Sequence, residues 1–232
     1  YEVNIDTEIT DEEYLLKNDN KGILPIGGIV TIQGKPKKGK SQAATIFLAA
    51  LLGDTSFNFI NQIEDIHVAY IDTEQTKKQT KSLVERVYKL ANIHRKERNP
   101  YVHSYNIRSV TKARRKVLIE QIIDYSKSSF VVIDGIADIC NDFNSSIEPF
   151  DLVEEILRWA TTYKCCIACM IHENKNTIDS KGHLGQALNQ KSTEVFQVEH
   201  PDRKSEFVLS QLMGKDELID DVTWTREQDR FI

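Results

Sequence analysis

Eight residues constrain this chain more than any others. Gly34-Lys-Pro-Lys-Lys-Gly39-Lys40-Ser41 lies between the apolar run Ile29-Val30-Thr31-Ile32 and the Ala/Leu-rich stretch SQAATIFLAALLG. The apolar run reads as a buried strand, the glycines as a turn, and the Ala/Leu stretch as a helix that Gly53 can stop. Glycines let the backbone curl so that successive N–H groups point inward at phosphate oxygens, and the helix that follows adds its positive end. In this G-x-x-x-x-G-K-S pattern Lys40 reaches the β- and γ-phosphates of a nucleotide and the Ser41 hydroxyl serves Mg²⁺. Gly34, Lys38, Gly39, Lys40, Ser41 and Gln42 form the expected ATP-binding set.

The rest of the chain bounds the fold class. Its 232 residues suit one large α/β domain, and no apolar run reaches the roughly 18 residues of a membrane helix. Cys140, Cys165, Cys166 and Cys169 sit in or beside apolar runs, which suggests packed thiols in a reducing, cytoplasmic setting. The chain begins at Tyr1, so an upstream region is expected to have been trimmed. The net charge of −5 is unevenly spread: residues 77–116 hold 13 basic and 2 acidic side chains, a local +11. That stretch is either a solvated helix surface or a positive face for a polyanion.

Residues 1–24 are acidic with few apolar anchors and read as a lead-in segment, leaving 25–232 as the folded domain. Within it, Val68 to Ile71, Tyr101 to Ile107, SSFVVIDG and CCIACMIH read as strands. Helices are expected over KKQTKSLVERVYKLANI, from a Thr111 cap through Ile123, and over Pro149 to Tyr163. STEVFQVEH, SEFVLSQL and DDVTWT read as short antiparallel strands. Alternating strands and helices followed by hairpin-like strands imply a mainly parallel central sheet, flanked by helices and closed by antiparallel C-terminal strands.

Three strand ends carry the remaining chemistry. Asp134 closes Phe130-Val131-Val132-Ile133, at the edge where α/β sheets bind ligands, and is the second candidate for Mg²⁺ beside Ser41. Glu74, in Asp72-Thr73-Glu74-Gln75, is placed to act as base or water-positioning group, with Asp72 either structural or assisting the metal. His172 closes CCIACMIH and is expected near the γ-phosphate or the attacking water; the polar stretch after it, with Gly182 and Gly185, reads as a mobile loop. Cys166 and Cys169 form a C-x-x-C pair, but on a strand positions i and i+3 face opposite sides, so the two thiols cannot share one metal.

The succession GKPKKGKS, YIDTEQ, FVVIDG, IHENKN and KGHLG resembles the RecA-like P-loop ATPase core, over about residues 25–232. It is most similar to the hexameric RepA-type plasmid replication helicases and to related ATPases of mobilizable transposons and plasmids. The resemblance implies that Glu74 activates water, Asp134 serves Mg²⁺ and His172 senses the γ-phosphate. It further implies that loops near 139–149 and 173–187 line a channel for single-stranded DNA in a homo-hexameric ring. A neighbouring subunit would supply a cation, for which Lys191, Arg203, Lys204 and Lys215 are candidates and Lys215 is preferred. The 139–149 loop has no Lys or Arg, and 173–187 has only Lys175 and Lys181, a departure from a strongly cationic DNA-binding loop. The expected activity is therefore Mg²⁺-dependent ATP hydrolysis in a DNA helicase-like motor. A nucleotide-gated loading or regulatory module and a P-loop kinase are the alternatives.

Overall fold

The apolar runs become the inner strands of one large sheet in the computed structural model, which describes residues 5–6, 13–53, 57–94, 99–174, 182–201, 206–215, 217–227 and 230–231. In chain order the strands are β1 (Tyr14–Asn18), β2 (Lys21–Pro25), β3 (Ile29–Gly34), β4 (Phe59–Asn61), β5 (Val68–Asp72), β6 (Val102–Asn106), β7 (Phe130–Asp134), β8 (Cys166–His172), β9 (Glu194–Glu199), β10 (Glu206–Met213), β11 (Val222–Glu227) and β12 (Arg230–Phe231). The helices are α1 (Lys40–Leu51), α2 (Lys77–Leu90), α3 (Lys112–Ser126), α4 (Glu148–Tyr163) and α5 (Gly182–Lys191). The large sheet runs β12-β11-β10-β9-β3-β8-β7-β5-β6. From β9 to β6 every neighbouring pair is parallel, and from β9 to β12 every pair is antiparallel. This is the α/β architecture that the order of apolar runs implies.

Strand alternation divides the core into two layers. Val68 and Tyr70 of β5, Phe130 and Val132 of β7, and Cys166, Ala168 and Met170 of β8 pack with α1 and the Leu83–Val87 stripe of α2. Ala69 and Ile71, Val131 and Ile133, and Ile167, Cys169 and Ile171 pack instead with α3, α4 and α5. Cys166 and Cys169 thus belong to different layers, as period-2 geometry requires. Helix α1 is buried at all positions but Ser41, which explains its Ala/Leu composition: small side chains let it lie close against the sheet. It ends where Gly53 takes φ 107°. Helix α2 begins with a capping box, Thr76 N–H donating to Gln79 Oε1 (2.9 Å) and Gln79 N–H to Thr76 Oγ1 (3.4 Å).

Several expectations need correction. Part of the lead-in is a hairpin: β1 and β2 pair around a turn in which Asp19 takes φ 54°, and with β4 they form a second, three-stranded antiparallel sheet. Leu15, Leu16, Ile23 and Leu24 are fully buried and share the α1 layer of the core, so these residues are part of the folded unit. The stretch read as a mobile loop holds α5, whose Leu184, Ala187 and Leu188 fill the other layer. Thr111 stands at the N-cap position of α3 but makes no side-chain cap bond. Among the described residues no helix is long and apolar enough to cross a membrane.

Register decides what shares an edge. Gly34 lies opposite His172 across β3 and β8, and Asp134 lies opposite Asp72 across β7 and β5. Four parallel strands therefore deliver the glycine-rich turn, His172, Asp134 and the 72–75 turn to one carboxyl edge, the ligand-binding edge of open α/β sheets.

Candidate nucleotide-binding site

The loop after β3 is shaped by its glycines. Gly39 takes φ 102°, and a Cβ there would lie 2.6 Å from Phe207 Cδ1; a Cβ on Gly34 would lie 2.6 Å from the Val198 carbonyl oxygen. Lys37 is also left-handed, φ 63°, so the backbone curls into the concave form that cradles anions before α1 begins at Lys40. Lys40 folds over this concavity. Its ammonium donates to the carbonyls of Gly34 (2.8 Å) and Lys35 (3.2 Å) and lies 2.8 Å from His172 Nδ1. Burial pulls its pKa down to about 8, outweighing the opposing pull of Asp134, Glu74 and Glu173. Two other residues expected to serve the nucleotide have their side chains engaged elsewhere: Lys38 donates to the His200 carbonyl (2.9 Å), and Gln42 accepts the Trp224 indole N–H (3.1 Å).

Ser41 and Asp134 meet, the hydroxyl donating to Oδ2 at 3.1 Å. The same oxygen accepts from the Tyr70 hydroxyl and from Gln75 Nε2, the latter at 2.7 Å. Burial pushes the Asp134 carboxyl above its usual range, against the pull of Tyr70 and Ser41. Burial and the adjacent Asp134 raise the Tyr70 phenol, so it stays protonated and donates. A carboxylate beside a hydroxyl, both reachable from the phosphate cradle, is the hard-oxygen donor set that suits Mg²⁺. Asp72 is otherwise engaged: Oδ1 accepts the N–H groups of Glu74 (3.0 Å) and Gln75 (2.8 Å), and Oδ2 accepts the Thr80 hydroxyl (2.6 Å). Of its two possible roles, this is the structural one.

The turn that Asp72 holds presents Glu74 toward His172, with Oε2 3.8 Å from Nε2. His172 foremost, and Lys40 as well, hold the Glu74 carboxyl below its usual range, so it is ionised at neutral pH. Lys40, His172 and Glu74 thus form a file across the strand ends. They line a cavity of about 220 Å³ together with Asp134, Lys112 and Phe143. Larger depressions of about 740 and 760 Å³ lie elsewhere, the first around Leu51, Asn61, Ile93 and Tyr101 and the second around Asn144, His183 and Met213. Neither gathers a lysine, a histidine and carboxylates; a depression of about 180 Å³ does, through Lys35, Lys38, His200, Glu173 and Glu199, but it lacks Lys40 and Asp134.

Sequence reasoning passed over Tyr70, Gln75 and Lys112. Tyr70 had a usable signal, since it shares the strand face of Asp72 two residues on. Gln75 follows Glu74 with no pattern of its own, and Lys112 reaches the cavity from α3 while donating to the Cys140 carbonyl (3.1 Å). Part of the basic stretch has internal work: Arg115 is buried, bonded to the carbonyls of Val110, Asp138 and Arg108, and Lys116 pairs with Glu155 at 2.7 Å. Of the candidate trans-acting cations, Lys191 lies 3.5 Å from Glu154, Lys215 is exposed just after β10, and Arg203 and Lys204 lie outside the described residues, as do Lys175 and Lys181.

Comparison with known proteins agrees with this fold. Residues 4–177 match the family model described as an AAA domain. No curated protein matches the sequence. Among solved structures, the KaiC-like protein PH0186 of the hyperthermophilic archaeon Pyrococcus horikoshii OT3 superposes with a TM-score of 0.61 at 10% identity, covering 91% of each chain. At that identity the likeness is one of fold, and the fold is the RecA-like one.

Proposed function

The chain belongs to the AAA-domain family and carries a RecA-like P-loop ATPase core, and from that premise we propose that it is a Mg²⁺-dependent ATPase whose base is Glu74. The observation that carries the reading is the file Lys40–His172–Glu74 beside the Ser41–Asp134 pair, at the mouth of the phosphate cradle. Ser41 and Asp134 would hold Mg²⁺, which when bound offsets charge on the phosphates. Lys40 leaves His172 and its carbonyl partners to take the β- and γ-phosphate oxygens. His172, so released, is free to meet the γ-phosphoryl group. Glu74, ionised at neutral pH, orients a water in line and accepts its proton.

The substitution that tests the base is Glu74→Gln. ATP should remain bound while turnover falls about 10²- to 10⁴-fold, the usual worth of a positioned general base. Turnover at the wild-type rate would remove Glu74 from the role.

We further propose that the ATPase works as a homo-oligomeric ring on single-stranded DNA, helicase-like, in replication or transfer of a mobile element. The support is the resemblance of GKPKKGKS, YIDTEQ, FVVIDG and IHENKN to RepA-type helicases. A trans-acting cation contributes on the order of 10³-fold or more to such reactions. Turnover per subunit should therefore rise with protein concentration and again with single-stranded DNA; turnover indifferent to both would reject the motor. One observation favours a loading or regulatory module instead: residues 139–149 offer no Lys or Arg to a DNA backbone. A strand-displacement assay separates the two, since a loader binds DNA in ATP yet unwinds nothing.

A further inference from the structure

Gln75 bridges the same two groups that a divalent cation would. Its Nε2 lies 2.7 Å from Asp134 Oδ2, 3.4 Å from Ser41 Oγ and 3.3 Å from the Tyr70 hydroxyl. The amide orientation follows from chemistry, because a carboxylate only accepts and would repel Oε1. The backbone of Gln75 is fixed on both sides: its N–H donates to Asp72 Oδ1 at 2.8 Å and its carbonyl accepts Asn106 Nδ2 at 3.0 Å. Motion is therefore left to the side chain, whose rotatable bonds can carry the amide away without disturbing the turn. An NH₂ group satisfies a buried carboxylate in the absence of a cation. The same partial positive charge is repelled once a dication shares that oxygen.

We propose that Gln75 is a metal-displaced latch: its amide holds Asp134 and Ser41 while no cation is present, must swing out when one binds, and so sets the affinity of the site for divalent metal. The proposal rests on the reading of Ser41 and Asp134 as the metal ligands. It makes a prediction opposite to that of a supporting role. If Gln75 merely presented Asp134 to the metal, its loss would weaken binding. As a competitor, its loss strengthens binding, while the Tyr70 hydroxyl continues to hold Asp134.

The test uses the full chain saturated with ADP and titrated with Mn²⁺, with free Mn²⁺ read by electron paramagnetic resonance. Removing one amide–carboxylate hydrogen bond from the metal-free side should tighten Mn²⁺ binding about threefold to tenfold in both Gln75→Ala and Gln75→Leu. Equal or weaker binding in these variants, with Asp134→Asn losing Mn²⁺ as expected, overturns the latch and leaves the metal site standing. Unchanged binding in Asp134→Asn overturns the metal reading and the latch together. A second readout needs no affinity: the Gln75 side-chain NH₂ resonance, identified by its loss in Gln75→Leu, should shift when Mg²⁺ and ADP are added to the wild type. A resonance that stays in place also overturns the proposal.

Discussion

Two aspartates close neighbouring strands of this molecule and lie opposite each other in register, yet their surroundings differ. Asp72 and Asp134 are both buried, and each ends an apolar strand at the carboxyl edge. Asp72 is held by two donors that cannot leave, the backbone N–H groups of Glu74 and Gln75, and also by the hydroxyl of Thr80, itself held by Asn106 Nδ2 at 2.7 Å. Among the described residues the Asp134 carboxylate accepts from side chains, Ser41, Tyr70 and Gln75, all on one oxygen. A carboxylate fixed by the backbone is scaffolding, whereas one held by movable donors can change partners when a ligand arrives. The strand pattern is the same for both; the permanence of the partners assigns the roles.

The largest expected effect breaks the symmetry between them. Asp134→Asn keeps an oxygen for Tyr70 and Ser41 but removes the anion, so ATP turnover should fall about 10³-fold, roughly 4 kcal/mol of barrier, with little change in melting temperature. Turnover within threefold of wild type would place the metal elsewhere. Next, Asp72→Ala should cost about 3 kcal/mol, because two N–H donors and a hydroxyl lose their shared acceptor. For a chain of this size that is a drop of roughly 6–12 °C in Tm by calorimetry. Asp72→Asn should cost less, since its amide oxygen still accepts and the Thr80 hydroxyl can accept in turn.

A third effect belongs to the Asp134 side alone. In the free protein Lys40 is drawn down to about 8, and phosphate oxygens would hold it charged. Above pH 8 nucleotide binding must therefore take up a proton, and affinity should fall by up to about tenfold per pH unit, while below pH 8 this group contributes no pH dependence. Calorimetry at pH 8.5 in buffers of different ionisation enthalpy reads the proton directly; no uptake would contradict the buried, poised lysine. Smallest is Thr80→Val, which removes one donor from Asp72. It should lower stability by about 1–2 kcal/mol in denaturant titrations and leave ATP affinity unchanged. A large loss of ATP affinity would mean that the two aspartates are coupled.

Much of this edge was legible from sequence because its pieces are local. A strand, a glycine turn and a helix are contiguous, and apolar runs ending in Asp134 and His172 announce where parallel strands stop. What stayed hidden depends on pairing across distance. The β1–β2 hairpin was masked by acidic residues around Leu15, Leu16, Ile23 and Leu24, whose burial needs β4 and α1. Helix α5 did leave a trace, Leu184, Ala187 and Leu188 at i, i+3 and i+4, outweighed by Gly182, Gly185 and polar neighbours. Gln42 is a further case. Its place beside Ser41 suggests the nucleotide, and only the fold brings its side chain to the Trp224 indole N–H, 182 positions away in the chain.

The most direct test of the account is calorimetric titration of the protein with a non-hydrolysable ATP analogue, with and without Mg²⁺. Saturable binding at one site per chain, tightened by Mg²⁺, abolished in Lys40→Ala and stripped of its Mg²⁺ dependence in Asp134→Asn, is the result predicted. Absence of binding to the wild-type chain in Mg²⁺, or binding indifferent to Lys40, would contradict it.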